Sequence, residues 1–419
     1  MKSDTLIGPL KDPRFRLLWI GQTFSHLGSA VLPLALSFAL IGGTGSAADL
    51  GLVLASSALS QLVFMLIGGV WSDRLPRRAV MLTADIVRCA VHVALGIELV
   101  AGTMNLAHLV AGSALVGAAT AFFLPASTGL VPATTEPGVL QQANALMSVS
   151  RRAAVLLGPA LATTVTVVYG AGWALILDGF TFAVSVVTLL LLRVPHTPIP
   201  RKTFTADLRD GWAEVRGRRW LWTNIIGHGV WNLCRTVFFT VGAMVVIRDL
   251  GGEVAWGAIA QGGTIGAFIG ALIALRIKPR RPLIAANILL ALGALPVALI
   301  AAHADIYLIV VAGGLMTLSL GLSGTLWDTT IQQQVPERKL SRVSSFDWLV
   351  SLALNPIGMA LSGSVAVAIG ASATLYGAAA LMVISGFSVL LVSDVRRVLS
   401  VTPEPDGGKQ DLSVLSKEK

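Results

Sequence analysis

The sequence contains few cysteines and few charged residues. Only 2 of its 419 residues are cysteine and 13% are charged, whereas 54% are hydrophobic. Cys89 and Cys234 lie within apolar segments, so the chain offers neither a disulfide framework nor a thiolate metal site. So few charged side chains cannot cover the surface of a soluble globule of this length. The composition therefore indicates an integral membrane protein.

The sequence also lacks the motifs of common hydrolases. A Walker loop requires G-x-x-x-x-G-K-[S/T], and Gly407-Gly408-Lys409-Gln410 departs from it in spacing and in its last residue. The 6 histidines are scattered without H-E-x-x-H spacing, and no G-x-S-x-G elbow precedes a helix. We therefore predict that the protein is not an enzyme and holds no metal or cofactor.

Apolar runs long enough to cross a bilayer as helices, about 20 residues each, recur along the chain. The predicted spans are 15–42, 49–71, 79–101, 107–127, 146–168, 173–193, 220–247, 255–276, 283–302, 305–327, 344–368 and 373–394. The first is too long for the apolar region of a signal peptide, so we predict that it is a retained span. The expected architecture is an all-α membrane protein with twelve transmembrane helices.

Lysine and arginine are concentrated in every second connection between these spans, with Arg248 as the exception. The basic connections hold Arg74, Arg77 and Arg78, Arg151 and Arg152, the stretch 193–219, the stretch 276–281, Arg338, Lys339 and Arg342, and, after the last span, Arg396 and Arg397. Because excess basic charge marks the cytoplasmic side, both termini are predicted to be cytoplasmic. The net charge of +9 is then explained by loops that face anionic lipid headgroups, and we predict no nucleic-acid partner.

The longest connection, residues 194–219, separates two halves of six spans. Pro195, Pro198 and Pro200 lie at its start. Apolar residues then follow at helical spacing, which predicts a short amphipathic helix at the inner membrane surface. These residues are Phe204, Leu208, Trp212 and Val215. The predicted domains are an N-terminal six-helix bundle (1–193), this linker (194–219), a C-terminal six-helix bundle (220–397) and a polar cytoplasmic tail (398–419).

Short motifs recur in the two halves at a nearly constant offset. Arg16-Leu-Leu-Trp19 recurs as Arg219-Trp-Leu-Trp222, and Pro76-Arg-Arg78 recurs as Pro279-Arg-Arg281, both 203 residues later. Val131-Pro132 recurs as Val335-Pro336, 204 residues later. Three ordered matches predict a duplication. Because each copy has an even number of spans, the copies share one orientation, as in transporters whose two bundles rock about a midplane site.

The loop between the second and third spans carries a family resemblance. Its sequence, Gly69-Val-Trp-Ser-Asp73-Arg74-Leu-Pro76-Arg77-Arg78, resembles the G-x-x-x-D-R-x-G-R-R/K motif of the major facilitator superfamily, with Pro76 in place of the usual glycine. The resemblance implies two pseudo-symmetric six-helix bundles. It also implies that Asp73 faces the N-terminal end of span eleven, where unpaired N–H groups carry partial positive charge, and closes a cytoplasmic gate in the outward-facing state.

The remaining charged residues of the motif have two possible roles. Arg74, Arg77 and Arg78 are expected to pair with acidic partners such as Asp347 or to lie against lipid phosphates. For Arg77 and Arg78, the alternative is that they only fix the topology.

Three further segments resemble the drug-exporter branch typified by macrolide efflux proteins and the enterobactin exporter. They are Phe15-Arg-Leu-Leu-Trp-Ile-Gly-Gln22, Ala143-Asn-Ala-Leu146 and Gly158-Pro159-Ala-Leu161. The resemblance implies a monomer in the bacterial cytoplasmic membrane that exports amphiphilic drugs or natural products by alternating access. Without an ATPase motif, the energy is expected from the proton gradient. The alternatives are an exporter or importer of one metabolite, such as a siderophore, and a non-transporting scaffold or channel.

Polar side chains form stripes on one face of span one and of span seven, and the family places spans one, four, seven and ten around a central cavity. We predict that these polar residues, together with nearby aromatics, line a substrate cavity. Arg235 would attract an anionic or zwitterionic group. The alternative for any single His or Asn is an interhelical hydrogen bond. The predicted lining residues are Gln22, His26, Ser29, Ser113, Thr120, Asn224, His228, Trp231, Asn232, Arg235, Ser323 and Trp327.

Ionisable side chains within spans are costly and usually functional. Asp85 and Arg88 are three residues apart, so we predict an ion pair on one helical face. Asp178 has no opposite charge within a helical turn, and an isolated carboxylate in a low dielectric favours its protonated form, as a proton carrier requires. The alternative is a carboxylate that is hydrogen-bonded to neighbouring helices. Glu98, near the outer end of span three, is a weaker coupling candidate.

Two prolines predict bends, because proline removes a backbone hydrogen bond. Gly158-Pro159 lies in span five and Asn355-Pro356 lies in span eleven. Both spans are expected at the interface between the halves, where bends would shape the contact surface.

Overall fold

The computed structural model describes residues 8–41, 47–194 and 203–400. Over these residues, twelve long helices follow the predicted spans in order, and we label them α1 to α12. They are α1 Pro13–Ile41, α2 Ala47–Arg74, α3 Arg77–Val100, α4 Leu106–Ala133, α5 Leu140–Tyr169, α6 Ala171–Leu191, α7 Arg219–Asp249, α8 Gly252–Ala274, α9 Pro282–Ala301, α10 Ile306–Gln334, α11 Leu340–Ile369 and α12 Ala371–Leu391. Pro195, Pro198, Pro200 and the predicted tail beyond residue 400 lie outside the described residues.

The helices have the length and composition of membrane spans. Within the described part of the chain, α2 to α12 are eleven helices that are long and apolar enough to cross a bilayer. The 29 residues of α1 also suffice in length. The predicted all-α architecture of twelve transmembrane helices in two six-helix bundles is confirmed.

Matching local features recur in the two halves, α1–α6 and α7–α12. Asn105 caps α4 by accepting from the N–H of Ala107, as Asp305 caps α10 by accepting from the N–H of Tyr307. Gly170 and Gly370, at φ +95° and +91°, lie between the fifth and sixth helix of each half and adopt a φ that favours glycine.

One of the predicted repeat matches is wrong. Val131-Pro132 lies in the last turn of α4, whereas Val335-Pro336 follows the end of α10. The equivalent elements are instead the 3-10 turns Pro137–Val139 and Glu337–Lys339, each directly before a long helix. A dipeptide match therefore does not establish equivalence where the spacing between the copies changes.

Helices α2 and α5 of the first half contact α11 and α8 of the second half. The α2–α3 loop, the linker and the α10–α11 loop meet at one end of the bundle, which we call the basic end. An apolar cluster there crosses between the halves and includes Leu130, Leu146, Leu322 and Leu326. The basic end is thus closed by packing as well as by polar contacts.

The predicted amphipathic helix is present as the linker helix, Phe204–Gly217. Its buried face consists of Asp207, Gly211 and Val215, which are four residues apart, and Gly211 lies against Arg342 and Phe346 of α11. Trp212, on the predicted apolar face, is exposed. The helix therefore docks on the bundle through a face that shares only Val215 with the predicted apolar residues.

Candidate functional site

Asp73 joins the two halves at the basic end. Its side chain is only 1% exposed. It accepts hydrogen bonds from the backbone N–H groups of Ser341 (3.3 Å) and Arg342 (3.2 Å) and from Nε of Arg342 (2.9 Å). Both residues belong to the first turn of α11, whose N–H groups have no partner within the helix. The predicted contact between Asp73 and the N-terminal end of span eleven is confirmed.

Gly69 allows α2 and α11 to approach each other one turn before Asp73. A Cβ atom at Gly69 would lie 2.2 Å from Oγ and 2.4 Å from Cβ of Ser345. These distances are far inside van der Waals contact, so the glycine of the motif permits this helix contact.

Arg342 also connects Asp73 to the linker helix. Its Nη1 donates to Oδ1 of Asp207 at 3.0 Å, and Nε of Arg74 donates to Oδ2 of the same carboxylate at 2.7 Å. Asp207 and Asp73 are both buried. Two carboxylates and two arginines therefore form one buried network that links α2, α11 and the linker helix. We call Asp73, Arg74, Asp207 and Arg342 the gate network.

The other two arginines of the motif also bind protein groups. Arg77 donates to Oδ1 of Asp73 at 3.4 Å, to Oε1 of Glu337 at 3.2 Å and to the Glu337 carbonyl oxygen. Arg78 donates to the carbonyl oxygens of Leu189 (2.6 Å) and Leu190 (3.0 Å) at the end of α6, where unpaired carbonyl groups favour a cation. Each thus has a structural partner as well as its predicted effect on topology.

The prediction of acidic partners is confirmed for Arg74 and Arg77, but Asp347 is not one of those partners. Asp347 lies in the second turn of α11, and its Oδ2 accepts from Nε1 of Trp327 at 2.9 Å. The Trp327 ring also contacts the ring of His228 at 4.7 Å between centroids. Asp347 therefore belongs to the interior of the second half, where α7, α10 and α11 meet.

The linker helix has a second ionic anchor at Glu214. Its carboxylate accepts from Nζ of Lys339 at 2.7 Å and from Nε of Arg218 at 2.7 Å. Burial raises the pKa of Glu214, but the hydrogen bonds from Lys339 and Arg218 outweigh that effect and hold the pKa below its ordinary value.

Amide side chains add contacts between the halves near the basic end. Asn144 of α5 donates to Thr329 (2.9 Å) and to Gln332 (2.6 Å) of α10. Gln332 in turn donates to the carbonyl oxygen of Thr128 at 3.1 Å. Asn144 belongs to one of the segments that carried the resemblance to drug exporters, and the structure places it at the contact between halves.

A cavity of about 280 Å³ lies between the halves, away from the basic end. Arg152 of α5 and Arg235 of α7 line it together with aromatic side chains of α7 and α8. The Nε atoms of both arginines are buried, and among the described residues neither Nε has a hydrogen-bond partner. Phe238–Gly242 is a π-helical segment directly after Arg235, and such segments are frequent at functional sites.

The prediction that Arg151 and Arg152 lie in a cytoplasmic loop is wrong. α5 begins at Leu140 rather than near residue 146, so both arginines lie roughly 17 Å along the helix, at 1.5 Å per residue. The polar residues of its first three turns, including Gln141 and Asn144, reduced the apolar signal there. These residues contact the second half instead of lipid or water.

Three predicted lining residues hydrogen-bond to α9 instead of lining the cavity. The three contacts are Asn224 Oδ1 with Nδ2 of Asn287 (2.8 Å), Trp231 Nε1 with the carbonyl oxygen of Leu290 (2.9 Å), and Ser323 Oγ with the carbonyl oxygen of Ala286 (3.1 Å). All three side chains are buried. Helical spacing identifies a polar face, but it cannot tell whether that face meets a cavity or another helix.

The other predicted lining residues differ in their surroundings. Gln22 is buried and donates to Oγ of Ser127 at 2.7 Å, which is the interhelical alternative. Ser29 and Thr120 donate to carbonyl oxygens of their own helices, and Ser113 is buried. Half-buried positions are held by His26, His228, Asn232 and Arg235. Arg235 lines the cavity between the halves, whereas cavity lining by His26, His228 and Asn232 stays a prediction.

The predicted ion pair in α3 is confirmed and forms part of a larger buried cluster. Nη1 of Arg88 lies 3.2 Å from Oδ1 of Asp85, and Oγ of Ser185 donates to Oδ2 of Asp85 at 2.6 Å. Asp178 is not isolated, because Nδ1 of His92 lies 3.0 Å from its Oδ2. The two atoms are in close contact, although neither forms a hydrogen bond.

Sequence reasoning missed His92, although a signal was present. Asp85, Arg88 and His92 are separated by three and four residues and so share one face of α3. Asp328, next to Trp327 in α10, was also not predicted, because the predicted span ends at residue 327 whereas α10 continues to Gln334. Glu98 lies apart from this cluster, in a partly exposed contact with His108.

The two predicted helix bends have different neighbours. Pro159 and Pro356 both lie within helices. A Cβ at Gly158 would lie 2.5 Å from Cβ of Ala30, so this part of α5 packs on α1 of its own half. The expectation that spans five and eleven lie at the interface between the halves is confirmed, because α5 contacts α8 and α11 contacts α2, although Gly158 itself lies against α1.

Comparison with known proteins agrees with this architecture. The family model described as Major Facilitator Superfamily matches residues 18–353. The chain is 23% identical over 399 residues to macrolide efflux protein A of Streptococcus pyogenes, covering 92% of this chain and 97% of that protein. It is 24% identical over 417 residues to the multidrug efflux pump Tap of Mycolicibacterium fortuitum, covering 94% and 98%. The outward-facing crystal structure of a bacterial homologue of the iron transporter ferroportin superposes with a TM-score of 0.73 at 16% identity, covering 90% of this chain and 98% of that one.

Proposed function

Since the chain belongs to the major facilitator superfamily, a family of multi-pass membrane transporters, we propose that it exports amphiphilic drugs or natural products from bacteria by proton-coupled alternating access. The observation that carries this proposal is the contact of Asp73 with the first turn of α11, because it closes one end of a duplicated bundle around a cavity. The efflux names of two relatives that match nearly the whole chain support the direction of transport.

The closed end is built in a way that permits reopening. Asp73 binds α11 through charge-assisted hydrogen bonds to backbone N–H groups and to Arg342, and the partners on both sides are polar groups that water can also satisfy. If the basic end is cytoplasmic, as the distribution of arginine predicts, this conformation faces outward. Transport then requires these contacts to break so that the cavity becomes accessible from the cytoplasm.

The cluster around Asp178 supplies candidates for the proton step. Asp178 and His92 are in contact, and both are buried in the first half near Asp85 and Arg88. Protonation of Asp178 would remove its charge and release the contact with His92, while Asp85 keeps its ion pair with Arg88. We therefore assign proton binding to Asp178. The transporter would act as a monomer that uses only the proton gradient and needs no cofactor.

Everted membrane vesicles test this function. Respiration acidifies their interior, so an exporter should concentrate amphiphilic probes inside while releasing protons, measured as recovery of acridine dye fluorescence, and the probes include an anionic, a neutral and a cationic compound. Asp178→Asn should abolish the substrate-dependent proton release. The matched control is Asp249→Asn, at an exposed carboxylate of α7, which should leave it unchanged. Full proton coupling in the Asp178→Asn variant would remove Asp178 from the mechanism, and accumulation that is independent of the gradient would refute proton coupling.

A further inference from the structure

The cavity between the halves presents two arginines from opposite halves. Arg152 belongs to α5 of the first half and Arg235 to α7 of the second half, and both line the same space of about 280 Å³. Each guanidinium has a buried Nε atom without a hydrogen-bond partner among the described residues. A cationic group that is partly removed from water without a partner for its buried N–H is costly, so an anionic ligand would bind favourably beside these arginines.

Three carboxylates within the described helices have other partners. Asp85 pairs with Arg88, Asp178 contacts His92, and Asp347 accepts from Trp327. No described carboxylate forms an ion pair with Arg152 or Arg235. The protein thus leaves positive charge in the cavity that its own acidic side chains do not neutralise.

An aromatic wall lies beside the two arginines. Cζ of Arg235 lies 5.5 Å from the ring centroid of Phe239. The Trp256 ring of α8 lies 5.4 Å from Phe238 and 6.2 Å from Phe239 between centroids. These rings offer an apolar surface of the kind that binds flat or bulky hydrophobic groups in ligand pockets.

We propose that this cavity binds amphiphiles with a carboxylate, sulfonate or phosphate group, which Arg152 and Arg235 hold together while the apolar body lies against Trp256 and Phe239. Arginine suits this role because its guanidinium binds such groups through two parallel hydrogen bonds. The inference rests on the proposed function, since it makes the cavity the substrate site. Because the two arginines come from opposite halves, a bound anion would also offset their mutual repulsion and favour the halves coming together around the substrate.

Equilibrium binding to the full-length protein in phosphatidylcholine nanodiscs tests the inference without any gradient. The probes are naphthalene-2-sulfonate, its neutral hydroxymethyl analogue and its cationic aminomethyl analogue. Wild type should bind the sulfonate at least tenfold more tightly than either analogue. Arg152→Gln and Arg235→Gln should each weaken sulfonate binding about tenfold or more, the effect of one charged hydrogen bond. Arg248→Gln, an exposed arginine on the same helix α7, is the matched control and should not change it.

Two further measurements make each outcome decisive. Arg152→Lys and Arg235→Lys keep the charge but lose the planar fork, so they should bind the sulfonate with intermediate affinity even if a glutamine variant fails to fold. The proposal would be overturned if the wild-type protein bound the sulfonate no more tightly than the two analogues. It would also be overturned if folded arginine variants bound the sulfonate with wild-type affinity. A tenfold loss of sulfonate binding when phosphatidylglycerol is added would overturn it too, because the site would then belong to a lipid headgroup. Anion binding without transport in vesicles would refute the proposed function alone.

Discussion

Arg342 binds Asp73 twice, through its backbone N–H at 3.2 Å and through its Nε at 2.9 Å. One residue of α11 thus offers both the partial charge of a helix terminus and a full side-chain charge to the same carboxylate. Because Arg342 also reaches Asp207, movement of α11 away from α2 must disturb the linker helix as well. The gate network is therefore one unit, and its removal should be measurable as a change in the separation of α2 and α11.

Asp73→Asn should open the basic end. The amide keeps the size of the side chain but loses the negative charge that strengthens the hydrogen bonds from Ser341 and Arg342, at a cost of about 2 kcal/mol, or roughly thirtyfold in the ratio of closed to open protein. The measurement is a pulsed electron paramagnetic resonance distance between spin labels at Leu75 and Arg338, with Cys89 and Cys234 replaced by serine.

The control for this prediction is Asp12→Asn, which changes a partly exposed carboxylate that directly precedes α1 and binds Arg14 in its first turn. It should leave the distance distribution unchanged. A distribution in Asp73→Asn that matches wild type would show that packing alone closes the basic end.

Gly69→Ala should also separate α2 from α11, for a steric reason. The new methyl group would meet both Cβ and Oγ of Ser345, so the helices must move apart. Replacing Ser345 with glycine in the same protein removes both atoms and should restore the wild-type distance. Gly363→Ala in α11, where a Cβ would meet nothing within 4 Å, is the matched control. If the double variant stays open, the close contact between positions 69 and 345 is not what limits the approach.

Arg88→Met should destabilise the first half strongly. It leaves the Asp85 carboxylate buried without its ionic partner, a loss of about 3–5 kcal/mol. The double variant Asp85→Leu/Arg88→Met removes both charges and should be less destabilised than Arg88→Met alone. Reversible unfolding in mixed micelles measures both free energies. Equal losses in the single and double variants would mean that the arginine acts through its stacking on Phe123 instead of through the ion pair.

The sequence predicted the fold well because apolar length and the alternation of basic loops are physical requirements of a bilayer. It also predicted the contact of Asp73 with α11, since the loop motif identifies the carboxylate and the helix dipole identifies a helix N-terminus as its partner. It failed at α5, where polar residues of the helix contact the other half and mimic a loop. Arg152 was consequently predicted to lie in a cytoplasmic loop, although it lines the cavity.

The lining residues were predicted less well for a different reason. Asn224 and His228 are one turn apart on α7, yet Asn224 bonds to Asn287 of α9 whereas His228 contacts Trp327 of α10. The orientation of each helix about its own axis is set by packing against several neighbours. A single sequence gives the spacing of polar residues but not the neighbours they face.

Glu214→Gln should weaken the attachment of the linker helix in a pH-dependent manner. Lys339 and Arg218 are 40% and 30% exposed, so screening by water limits the ionic contribution of Glu214 to about 1 kcal/mol or less at pH 7. Folding lowers the pKa of Glu214 below its ordinary value of 4.5. The stabilisation is therefore fully present above that value and is lost as the pH falls through the lower pKa of the folded state.

The difference in unfolding free energy between wild type and Glu214→Gln should accordingly be constant from pH 7 to pH 6 and vanish in acid. Lys339→Met separates the ionic contact from general effects of acid. In a protein that carries Lys339→Met, Glu214→Gln should lower the unfolding free energy by less than it does in wild type. A difference that persists unchanged in acid would mean that Glu214 acts through neutral hydrogen bonds. Because Lys339 directly precedes α11, loss of this contact should also loosen the segment that positions Arg342 for Asp73, which the spin-label distance at the basic end would report as a broader distribution.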